Sequence, residues 1–87
     1  MNLMHINESN TEEYILPSDV NEAITLIMFR DYCIAQMNYC IERFDGKGMR
    51  HWVLEYQRSV NDLKHLQFKK IESERIDFDE KNYTFRN

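Results

Sequence analysis

From Ala23 to Phe44 the chain carries apolar side chains around most of a helix circumference, and this constrains its fold more than any other feature. At about 100° per residue, Ala23, Leu26, Ile27, Cys33, Ile34, Met37, Cys40, Ile41 and Phe44 share one side. Met28, Tyr32, Ala35 and Tyr39 share the opposite side, with Ile24 close by. A helix with a single neighbour can cover only the first of these faces. Burying the second would contribute several kcal/mol, at about 25 cal/mol per Å² over roughly 200 to 300 Å². Its cover must come from the chain's own termini, a second copy or a foreign protein.

The neighbour is legible further along. Asp45, Gly46, Lys47 and Gly48 interrupt the first helix, since glycine enters left-handed conformations without penalty. A second helical period then runs from Met49 to about Arg75. Met49, Trp52, Val53, Tyr56, Val60, Leu63 and Ile71 form its seam, while Leu54 and Phe68 lie off it. Two long helices joined by about four residues fold back antiparallel, giving a hairpin roughly 35 to 40 Å long. Pro17, Ser18 and Asp19 mark the start of the first helix, and Asp19 with Glu22 has the capping-box spacing.

The expected organisation is therefore an irregular N-terminal arm over residues 1–17, a helical hairpin over 18–75 and a tail over 76–87. The two helices span about 18–44 and 49–75. In the tail, Ile76, Phe78, Tyr83 and Phe85 alternate with polar residues around Asp79 to Asn82, a pattern that suits a short β-hairpin. An isolated hairpin is marginal in water, so the alternative is an aromatic, acidic tail that orders on binding. The fold class is mainly α, with a dimeric four-helix bundle as one way to bury the extra face.

Composition narrows the function. With 87 residues there is one small domain. Lys and Arg number 11 against 15 Asp and Glu, and 43% of residues are hydrophobic and 13% aromatic, which is not the arithmetic of disorder. A formal net charge of −4 disfavours a dedicated nucleic-acid binder, because phosphate affinity comes from basic side chains. The longest apolar stretch, Ala23 to Ile41, has Arg30 and Asp31 at its centre, which a membrane span does not tolerate. Met1 to Leu16 has acidic residues where a signal peptide has a basic flank and an apolar run, so a cytoplasmic location is expected.

No residue pattern points to catalysis, a cofactor or a metal. Cys33 and Cys40 are two turns apart on one helix, about 10 Å, too far to bridge each other or to share an ion. Arg58 and His65 have the residue types of a ribonuclease pair, but acid–base chemistry needs a cleft that one hairpin does not make. Aligning Gly48 with the turn glycine of a calcium loop puts Arg43, Lys47 and Leu54 at ligand positions, which excludes that site. Lys64, Lys69 and Lys70 suit the C-terminal end of a helix and are the residues a nucleic-acid surface would use.

The reading that remains is a non-enzymatic, acidic protein-binding module, an inhibitor or adaptor that docks on a larger protein. Its size and style are those of a phage or mobile-element accessory protein. The alternatives are a self-associating four-helix-bundle protein and a nucleic-acid binder. The docking residues expected are Ile24, Met28, Arg30, Tyr32 and Tyr39 on the first helix, with Phe78, Tyr83 and Phe85 in the tail. The partner is another protein or a second copy, with no membrane.

Overall fold

The computed structural model describes residues 5–86, with side chains through Arg75. One turn of helix, α1 (Thr11–Tyr14), and a 3₁₀ turn (Pro17–Asp19) lead into α2 (Val20–Glu42), which is followed by α3 (Gly46–Arg86). Neither long helix contains an internal proline, and no glycine follows Gly48, so once nucleated each adds a backbone hydrogen bond per residue without a break. Cys40 lies beside Gly48 at one end of the pair, and Asp19 faces Lys69 at the other. The two helices are thus antiparallel, as expected, and α3 runs on past the start of α2. The result measures 65 × 21 × 18 Å, with a radius of gyration of 17.4 Å against about 12 Å for a compact chain of this length.

The arm packs on the hairpin. Ile6 and Ile15 are buried and join Ala23, Ile27, Leu63 and Leu66 in the core, with Tyr14, Val20 and Leu26 packed against them. Local polar bonds set its path. The Asn7 Oδ1 accepts from the Ser9 and Asn10 amides at 2.9 and 3.2 Å, and the Asn10 Oδ1 accepts from the Asn7 amide at 2.8 Å. Such asparagine turns reverse the chain without help from tertiary contacts. The buried Thr11 hydroxyl donates to the Asn7 carbonyl at 2.6 Å, and the Lys70 ammonium donates to the Glu12 and Glu13 carbonyls from across the molecule.

The helix start also differs from the sequence expectation. Asp19 precedes α2 but makes no side-chain capping bond, so the Asp19–Glu22 capping box does not form. Instead the buried Asp19 carboxylate turns toward α3, with Lys69 Nζ 3.3 Å from Oδ1 and 3.2 Å from Oδ2. A buried carboxylate gains more from a cation than from one amide.

The connection between the helices is tighter than four residues, and glycine does not make it. Phe44 is the left-handed residue, at φ 56°, and neither glycine has a positive φ. Its amide donates to the Ile41 carbonyl at 3.2 Å and the Asp45 amide to the Cys40 carbonyl at 2.9 Å, the paired bonds of a Schellman helix end. Asp45 then caps α3 directly, its Oδ1 accepting from the Gly48 amide at 2.9 Å. Gly48 is required for space: a Cβ there would sit 2.3 Å from Asp45 Oδ2 and 2.9 Å from Cys40 Sγ.

Three expectations about packing are corrected. The buried line of α2 is Ala23, Ile27, Arg30, Cys33 and Cys40, leaving Ile34, Ile41 and Phe44 exposed. Among the described side chains of α3, the buried ones are Ser59, Leu63 and Leu66, so Val60 sits on the shoulder and Ile71 is exposed. A two-helix contact follows a 3.5-residue seam too narrow for every apolar residue within a quarter-turn of it. The third concerns the tail: among the described residues there is no strand, and α3 continues to Arg86 in place of a β-hairpin. The Asp79 to Asn82 stretch offers no glycine for a tight hairpin turn, whereas continuing a formed helix needs no new nucleus.

Candidate protein-docking surface

The far side of α2 from the core is apolar and open. Met28 is 58% exposed and Tyr32 and Tyr39 are each 52% exposed, so the arm that packs into the core leaves this stripe uncovered. Ile24 is half-buried at its edge and Ala35 is exposed within it. Phe29, one position round the helix, extends the apolar surface toward the hairpin seam.

Two of these rings are held in place. Tyr32 meets Trp52 of α3 edge-on, with ring centroids 5.5 Å apart, and Trp52 in turn meets His51 at 4.8 Å. The Arg43 guanidinium lies 5.2 Å from the centre of the Tyr39 ring and donates to its hydroxyl. Aromatic and cation–π contacts of this kind fix ring orientation at a modest gain, about 0.5–1.5 kcal/mol each. Preorganised aromatic side chains lose less entropy when a partner covers them.

Not every expected docking residue belongs to this surface. Arg30 is buried on the core side of α2, with Nε 3.2 Å from Asp31 Oδ1, so the structure does not bring it to the stripe. The side chains of Phe78, Tyr83 and Phe85 lie outside the described residues. Phe29 is an addition that the helical period alone does not single out. Trp52 lies near the seam and reaches Tyr32 only because the two helices pack at this register.

Two of the three lysines expected at a nucleic-acid surface have intramolecular partners. Lys69 pairs with Asp19, and Lys70 reaches both the α1 carbonyls and Glu74, the latter at 3.9 Å. Lys64 is exposed on the same helix. Arg58 is 3.2 Å from Glu55 on its own helix, and His65 is exposed to solvent. Among the described residues, no group of three His, Cys, Asp or Glu is placed to hold a metal ion. No helix among them is long and apolar enough to cross a membrane.

Both thiols are buried and free. Burial pushes the Cys33 thiol up from its ordinary range, and the Glu55 carboxylate adds to the effect. Cys40 is also raised, first by burial and then by Asp45, with Arg43 opposing. Only the thiolate attacks a disulfide reagent, so both cysteines should react with Ellman's reagent at pH 8 at least ~10-fold more slowly in the folded chain than in 6 M guanidinium. Equal rates would show that the thiols are accessible and unperturbed.

Comparison with protein-family models, curated proteins and solved structures finds no match to this chain.

Proposed function

We propose that this chain is a non-enzymatic, cytoplasmic protein-binding module that docks on a larger protein through the outer stripe of α2, as an inhibitor or adaptor. The supporting observation is the exposure of Met28, Tyr32 and Tyr39 on a rigid helix whose opposite face is already occupied. Tyrosine and methionine are enriched in the cores of protein interfaces, where a few buried anchors carry most of the affinity. Asp31 and Glu42 are exposed beside the stripe and Arg43 lies on Tyr39, so the complementary partner surface is apolar with a rim of mixed charge. The nucleic-acid alternative is disfavoured because Lys69 and Lys70 already hold the start of α2 and the arm.

The test is Tyr39→Asp alone and with Tyr32→Asp, in affinity capture from the native host. Proteins retained by the wild type should be lost with both variants, while far-ultraviolet circular dichroism keeps its helical signal. Tyr39→Asp gives up only the Arg43 contact, and the second substitution also removes the Trp52 contact, at a cost of about 1 kcal/mol. Undiminished capture by the double variant would overturn the reading. A wild-type homodimer dissociated by these substitutions would assign the stripe to self-association instead.

A further inference from the structure

A second apolar surface lies at the hairpin end and is separate from the stripe. Phe44 is 96% exposed, Leu54 60%, Ile41 59% and Ile34 36%. Phe44 also occupies the left-handed position of the α2 helix end, where glycine carries no steric penalty and a bulky side chain does. The sequence thus places an aromatic ring where the isolated chain derives neither burial nor backbone ease from it.

Beside this knob are two apolar hollows that share Met49. One, of about 340 Å³, is lined by Met49, Arg50, Val53 and Leu54. The other, of about 360 Å³, is lined by Cys40, Ile41, Phe44, Asp45, Gly46 and Met49. Both are shallow and open to solvent, so a phenyl ring can pack against either.

We infer that the hairpin end is a two-fold contact with a second copy of this chain, in which each Phe44 ring enters the partner's Met49–Val53–Leu54 hollow. A two-fold interface must be self-complementary, presenting knob and socket on one surface, and this end presents both. The charges agree. Glu42 and Asp45 are balanced here by Lys47 and Arg50, and Arg43 is folded back on Tyr39, so two copies meet without the repulsion their net charge of −4 imposes elsewhere. The area also agrees. At about 200 Å² for a large apolar side chain, the exposed fractions of Ile34, Ile41, Phe44 and Leu54 amount to about 500 Å². At about 60% apolar, an interface that covered all of it would bury at most about 800 Å² per partner, which reaches the size of a stable contact.

Sedimentation velocity of the full chain between about 1 and 200 μM tests this. The wild type should pass from monomer to dimer across that range. Phe44→Gly should raise the dissociation constant at least ~30-fold, as loss of a central anchor does. In the same variant the monomer's melting temperature, measured at the lowest concentration, should hold or rise, because glycine relieves the left-handed strain. Leu54→Arg should also give a monomer, and Tyr39→Asp should leave the dimer intact, which separates this contact from the docking stripe. A wild type that stays monomeric at 200 μM overturns the inference. So does a Phe44→Gly chain that dimerises as well as the wild type.

Discussion

An Ile15→Asp chain is expected to lose its cooperative unfolding transition and to be largely unfolded at 25 °C. Ile15 is fully buried in the cluster of Ile6, Ala23, Ile27, Leu63 and Leu66. Removing its side chain forfeits about 1.5–3 kcal/mol of burial, and an unpaired carboxylate in the same place costs several more. The whole fold of a chain this long is worth only about 4 to 13 kcal/mol. Ser18→Asp, nearby and exposed, should change stability by less than about 0.5 kcal/mol. Urea unfolding followed by circular dichroism distinguishes the two. If Ile15→Asp unfolds at nearly the wild-type midpoint, the arm is not part of the core.

Leu63→Ala is expected to lower the unfolding free energy by about 3 kcal/mol and the melting temperature by about 15 °C. Leu63 is fully buried in the core cluster with Ala23 and Ile27. Phe68→Ala, on the same helix, deletes more carbon from a side chain that is mostly exposed, and should cost less than about 1 kcal/mol. Thermal melts at low concentration, where association does not contribute, give both values. A larger loss for Phe68 than for Leu63 would show that the buried side of α3 has been placed wrongly.

The helical hairpin and the uncovered stripe were legible in the sequence for the same reason. Apolar spacing near 3.6 residues marks a helix whatever surrounds it, and Met28, Tyr32 and Tyr39 lie far enough round from Ile27 and Cys33 that the partner helix leaves each about half exposed, touching Tyr32 only through the edge of Trp52. The exact seam was less legible. Choosing Ser59 over Val60, or Arg30 over Ile34, requires the 3.5-residue register of two supercoiling helices, which a single helical period does not reveal. Ser59 tolerates its buried position because its hydroxyl donates to the Tyr56 carbonyl at 2.7 Å. That bond is invisible to a hydrophobicity pattern.

By itself the sequence determined two long helices, a short reversal between them, and an apolar face that the hairpin leaves about half exposed. Each is a property of neighbouring residues, set by period, backbone freedom and charge. The tertiary structure alone decided that Ile6 and Ile15 complete the core and that Asp19 answers Lys69 instead of capping its own helix. These depend on residues far apart in the chain or on space between packed helices. Gly48 shows both: Asp45, three residues earlier, crowds a Cβ there locally, and Cys40 adds to that crowding only once the hairpin closes.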